Sequence, residues 1–177
     1  MDDNIYLLTL SKKNRNDFLD KLTSALHERF GDNIPENYGD SHNWSLLKLI
    51  KRNRIDTYQL LYINDKIWTG TGGIIRRLNS KKVYQAAFRG FSCAGLTNKG
   101  LGIKTPTFVY CLDHQIERAK FNKCDSIILS FNEENKRLFE VTKNYTLPKT
   151  FKPGEWKASE KPILFNDTKQ WMLTMKL

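Results

Sequence analysis

Residues Val83–Asn135 read VYQAAFRGFSCAGLTNKGLGIKTPTFVYCLDHQIERAKFNKCDSIILSFNEEN, and the fold turns on how this stretch is parsed. Val83–Ser92 has the β-branched and aromatic content of a strand. Gly100 and Gly102 punctuate the loop that follows. Phe108, Cys111, Leu112, Gln115, Ile116 and Ala119 then recur at helical spacing, with Thr105 as the expected cap and Pro106 in the first turn. Ser126–Phe131 is a nearly continuous apolar run, the pattern of a strand buried on both faces. A strand, a helix and a second buried strand fit a mixed α/β sheet with helices on its faces.

Upstream, Ile5–Leu10 reads as a short strand. Phe18, Leu22, Ala25, Leu26 and Phe30 mark an amphipathic helix over about residues 16–30, stopped by Gly31. Asp32–Asn43 reads as loop, and Trp44, Leu46, Leu47 and Ile50 suggest a second short helix. Ile55–Ile63, Ile67–Arg76 and Val83–Ser92 are strands joined at Asn64-Asp65 and Leu78-Asn79-Ser80, which are hairpin connections. Downstream, Asn135–Tyr145 reads as a helix, followed by a loop with Pro148, Pro153 and Pro162 and strands at Ile163–Phe165 and Trp171–Leu177. The expected order is β-α-α-β-β-β-α-β-α-β-β, a mixed, largely antiparallel α/β sheet flanked by helices on both faces, built as one domain over residues 1–177.

The chain has 177 residues, of which 40% are hydrophobic and 27% charged. That balance is globular, and the length supports a core without disulfides or metal. The apolar runs are strand-sized, far short of the roughly 20 residues that cross a bilayer. Met-Asp-Asp-Asn lacks the basic start and apolar core of a signal peptide, and three cysteines (Cys93, Cys111, Cys124) form no framework, so a reducing, cytoplasmic location is expected. The net charge is +10, and residues 61–124 hold eleven Lys/Arg against three Asp/Glu. A concentrated positive field favours an anionic ligand.

Glycines between a strand and a helix admit a ligand close to the backbone, where successive N–H groups can point at phosphate oxygens. Lys99 and Lys104 add charge beside Thr97-Asn98-Lys99-Gly100-Leu101-Gly102. On the residues alone, a simple turn stays open as the other reading. A Walker A loop is excluded because no G-K-[ST] follows, and a third glycine for a dinucleotide fingerprint is missing.

The element order and this loop together resemble the GNAT-type acyl-coenzyme A N-acyltransferases, over most of the chain. The family's pyrophosphate loop has the form [RQ]-x-x-G-x-[GA], matched here by residues 97–102, and its Asn a few residues beyond the buried strand is matched by Asn135, with Arg137 following. The resemblance implies acetyl-coenzyme A as co-substrate and an amine as acceptor, and the net +8 of residues 61–124, more than a cofactor alone requires, favours an acceptor on a macromolecule, an acidic protein or a nucleic acid. It implies that N–H groups of Asn98, Lys99, Gly100, Leu101, Gly102 and Ile103, with Lys104 beside them, receive the pyrophosphate. Main-chain groups near Phe91, Ser92 and Cys93 would pair with the pantetheine, and Asn135 would orient the thiol end. Thr97 stands where the family has Arg or Gln, and Pro106 where its helix is already under way. Thr142 stands where the family has its acidic Tyr, which leaves Tyr145 as the nearest phenol. Between residues 61 and 124 only Asp65, Asp113 and Glu117 are acidic, so no carboxylate marks a general base.

The remaining features read more plainly. His27, His42 and His114 make no ligand spacing with the cysteines, so no metal is expected. Cys93 reads as a buried thiol, and the four tryptophans as core or edge aromatics, with Trp44 and Trp156 as candidates for a substrate mouth. Arg76, Arg77, Lys81 and Lys82 surround one turn. They are either a solvated hairpin tip or a contact for nucleic acid or an acidic protein. The alternative function is accordingly a GNAT-like binding module with little or no catalysis.

Overall fold

The computed structural model describes residues 4–30, 55–87 and 109–177. Among them are eight strands and three α-helices. The strands are β1 (Ile5–Thr9), β2 (Thr57–Ile63), β3 (Lys66–Leu78), β4 (Lys81–Ala87), β5 (Ser126–Asn132), β6 (Trp156–Ala158), β7 (Ile163–Phe165) and β8 (Thr168–Lys176). The helices are α1 (Arg15–Phe30), α2 (Val109–Phe121) and α3 (Lys136–Val141). The strands form one sheet in the order β1-β2-β3-β4-β5-β8-β6, with β7 also on β8. The pairs β1–β2, β2–β3, β5–β8, β6–β8 and β7–β8 are antiparallel, and β4–β5 is parallel. The mixed, largely antiparallel sheet expected from the sequence is the one observed.

The chain clusters into two compact units, Met1–Gly73 with Phe88–Gln115 and Ile74–Ala87 with Ile116–Leu177. In the first, β2 pairs with β1 from Ile63↔Ile5 to Gln59↔Thr9. Before α1, Ser11 N donates to Asn14 Oδ1 at 2.8 Å and Asn14 N to Ser11 Oγ at 3.3 Å, a reciprocal turn that starts the helix. Phe18 and Leu22 of α1 are fully buried, and Phe18 meets the Tyr58 ring edge-on at 5.6 Å. Gly72, the partner of Tyr58, is required there: a Cβ would run into Ile55 and lie 2.9 Å from the Tyr58 ring.

In the second unit Val83, Ile128, Phe165 and Met172 form a buried cluster with Leu78 against it. Ser126, Ile127, Ile128 and Leu129 are buried in succession, as a strand covered on both faces must be. Lys123, in the left-handed region at φ 55°, ends α2, and Cys124 N closes the turn on Ala119 O at 3.0 Å.

Three two-residue turns, Asn64-Asp65, Asn79-Ser80 and Asn166-Asp167, have positive φ at both positions, the conformation whose twist matches antiparallel strands. The structure departs from expectation in the C-terminal third. Trp156–Ala158 is a strand that the Pro/Gly-rich context conceals. The helix expected over Asn135–Tyr145 is a 3-10 turn (Glu133–Asn135), α3, a π turn (Thr142–Thr146) and a second 3-10 turn (Leu147–Lys149). The expected loop at 32–43, the helix at Trp44–Ile50 and the cap at Thr105-Pro106 lie outside the described residues. No helix among the described residues is long and apolar enough to cross a membrane.

Candidate active site

β4 and β5 run side by side for only part of their length. Val83, Tyr84 and Gln85 pair with Ser126, Ile127 and Ile128, and there the pairing stops, although β4 continues to Ala87 and β5 to Asn132. Among the described residues, the edge of β5 from Leu129 to Asn132 has no partner on the β4 side. Its other edge is paired with β8 throughout, from Ser126↔Lys176 to Asn132↔Gln170. The closed end of the fork is pinned. Lys82 N donates to Asp125 Oδ2 at 2.9 Å, Asp125 N to Lys82 O at 2.7 Å, and Lys82 Nζ to Asn122 O. Beyond the last pair a side-chain bridge crosses the gap: Gln85 Nε2 donates to Ser130 Oγ at 2.9 Å.

The carboxyl ends of parallel strands are where open α/β sheets hold ligands. Here β4 leads into residues 88–108 and β5 into Asn135. Phe91, Ser92, Cys93, Asn98, Lys99, Gly100, Leu101, Gly102, Ile103 and Lys104 all lie outside the described residues. Asn135 is exposed at the start of α3, and its side chain makes no capping hydrogen bond. An aromatic stack supports this corner from below: Phe139 is buried between Phe131, edge-on at 5.9 Å, and Trp171, stacked at 5.1 Å. Trp171 Nε1 donates to Glu133 O at 3.0 Å, which ties the turn before Asn135 to β8. Lys136 lies over the Trp171 ring.

Thr142 has no acid role in this geometry. It is buried, and its hydroxyl donates to Leu138 O at 2.8 Å inside the helix. Tyr145 is 68% exposed on the π turn, with no hydrogen bond to Asn135. His114 Nε2 lies 3.1 Å from Thr57 Oγ1, a contact that no spacing in the sequence announced. Trp156 is half-buried, edge-on to Phe151 at 5.6 Å, with its Nε1 enclosed and unpartnered.

The basic cluster divides on inspection. Arg77 and Lys81 are exposed, and Arg77 donates weakly to Ser80 O at 3.4 Å. Lys82 is committed to the fork. Arg76 is half-buried, its Nε donates to Gln85 Oε1 at 3.3 Å, and burial lowers its pKa below the ordinary guanidinium value. The sequence presents four equivalent charges; the structure leaves two of them at a solvated tip.

The sheet order, the parallel pair and the helix between its strands define the GNAT acetyltransferase fold, and solved structures bear this out. An acetyltransferase from Streptococcus agalactiae superimposes with a TM-score of 0.53 at 13% identity, over 98% of each chain. An acetyltransferase of the GNAT family from Staphylococcus aureus gives a TM-score of 0.51 at 17% identity, over 98% of this chain and 99% of that one. No family model matches the chain, and no curated protein matches it in sequence.

Proposed function

We propose that the chain, acting as one domain over residues 1–177, is an acyl-coenzyme A-dependent N-acyltransferase that moves an acetyl group to an amine in a reducing, cytoplasmic compartment. The observation that carries this reading is the fork. Among the described residues the parallel pairing of β4 and β5 ends at Gln85↔Ile128, in a fold shared with acetyltransferases, and in sequence β4 is followed by the glycine loop and β5 by Asn135.

The open edge of β5 fits the co-substrate's chemistry. An extended pantetheine arm carries amide groups, and a strand edge without a partner offers N–H and C=O groups to match them. The pyrophosphate would fall to the N–H groups of residues 98–103 with Lys99 and Lys104, and Asn135 would orient the thiol end. In the reaction the amine loses a proton and its nitrogen attacks the thioester carbonyl. The C–N bond forms, the C–S bond breaks, and a proton ends on the released thiol. N–H groups on the carbonyl oxygen would stabilise the developing charge, with Tyr145 the nearest phenol to supply the proton.

Coenzyme A at millimolar concentration in low salt is expected to raise the melting temperature, because it binds the folded state alone. Gly100→Val, which sets a branched side chain in the path of the pyrophosphate, is expected to remove that shift while the protein stays folded. An unmoved melting curve for the wild type ends the acyltransferase reading.

A further inference from the structure

Arg76, Gln85 and Ser130 stand on three adjacent strands, β3, β4 and β5, and are joined in one line of hydrogen bonds. Strand alternation puts them on the face that carries Leu78, Val83 and Ile128, so an apolar floor adjoins them. The polarity of the line is fixed by its first member. A guanidinium only donates, so the Gln85 oxygen must face Arg76 and its NH₂ group must face Ser130. Ser130 therefore accepts, and its own proton is left for another partner. Gln85 is 2% exposed and has its amide engaged at both ends, which makes it a spacer rather than a ligand group. What remains uncommitted among the described residues is all donor: the two Nη groups of Arg76 and the hydroxyl of Ser130.

Arg76 has no carboxylate partner among the described residues, although it is half-buried and desolvated. A guanidinium drawn out of water against a neutral amide is an incomplete pair, and its planar fork matches a carboxylate in two parallel hydrogen bonds. The line also reaches the opening of the fork, since Gln85 is the last β4 residue paired with β5 and Ser130 lies beyond that pair.

We propose that Arg76 and Ser130, spaced by Gln85, seat the carboxylate of the acyl acceptor, so that the acceptor is a small amine carrying its own carboxylate, of the amino-acid class. The identity of the ligand as acceptor rests on the acyltransferase reading. The carboxylate site itself does not, and is tested by direct binding.

The experiment measures binding of amino acids and of their carboxamides at millimolar concentration, by thermal shift and ligand-observed NMR, with and without coenzyme A. At least one amino acid is expected to bind where its carboxamide does not. Arg76→Gln is expected to weaken that amino acid roughly tenfold or more, as loss of a charge-assisted pair does, and Arg76→Lys to restore part of it. Gln85→Glu is the second variant, and it keeps Arg76 in place. The new carboxylate occupies the guanidinium from within, so the fold is retained and the amino acid is expelled. Coenzyme A binding is expected to survive in all three variants.

The site is overturned if no amino acid outbinds its carboxamide, or if binding is unchanged in Arg76→Gln and Gln85→Glu. Displacement by inorganic phosphate at equal concentration would show a seat for any anion and would equally overturn the carboxylate assignment. Loss of coenzyme A binding in the wild type, with amino-acid binding intact, would remove the acyltransferase reading and leave this site standing.

Discussion

One strand of this protein has two very different edges. Toward β8, β5 is paired along all seven residues; toward β4, among the described residues, it is paired along three. The same residues, equally buried at the start, therefore serve two ends. The antiparallel edge closes the sheet and carries stability. The parallel edge is held shut at Lys82 and Asp125 and, among the described residues, has no partner beyond Gln85, which is where the proposed co-substrate would lie.

The contrast is broken most severely from the closed side. Leu173 of β8 is buried opposite Leu129, and Leu173→Ala is expected to cost about 2–5 kcal/mol, lost transfer energy plus a cavity. Urea denaturation reads that loss directly. Asp125→Ala acts on the open side by unpinning the base of the fork. Loss of one charge-assisted bond to Lys82 N is expected to cost about 1–2 kcal/mol. Amide exchange is expected to quicken at Val83–Gln85 while the amides of β8 stay protected. Equal quickening on both edges would show that the two are one cooperative unit.

Smaller changes sharpen the picture. Tyr145→Phe is expected to lower acetyl transfer by less than tenfold, since the phenol is exposed and has no partner among the described residues; a fall into the 10²–10⁴ range of general acid catalysis would make it the proton donor. Tyr62, in the antiparallel β1–β2 pair, serves as the control. Burial raises its pKa above the usual phenol value, so the folded state holds its proton more tightly than the unfolded one. That difference makes stability fall as pH climbs past about 10 toward the raised folded value. Tyr62→Phe is expected to flatten the fall slightly and to leave coenzyme A binding untouched.

Most of the sheet was legible because each strand declares itself locally. Alternation in Thr57–Ile63 and the Asn-Asp and Asn-Ser pairs at positive φ mark hairpins without tertiary information. The buried run Ser126–Leu129 announced a strand covered on both faces in the same way; its parallel pairing with β4 appears only in the structure. Trp156–Ala158 was not legible: three residues between Pro153-Gly154 and Pro162 carry no period, and only β8 makes them a strand. The π turn was hidden because Thr142, by helical count, stands where a catalytic Tyr is expected, while the structure turns it inward to bond Leu138. The basic cluster misled for another reason. Charge is visible in a sequence, but the carbonyl of Asn122 that takes up Lys82 is not, and neither is a neutral glutamine that aligns an arginine.

The glycine-free turns set an order of assembly. Asn64-Asp65, Asn79-Ser80 and Asn166-Asp167 each close a hairpin across two residues, so β2–β3, β3–β4 and β7–β8 are contacts of short sequence separation that form on the microsecond scale of isolated hairpins. The β4–β5 pair must wait for the 38 residues between Ala87 and Ser126 to be gathered in. Its few rungs thus have the character of a late step in folding, and mutations there are expected to speed unfolding far more than they slow folding. The part of the molecule best placed to accept a ligand is then also the part through which the chain first comes undone.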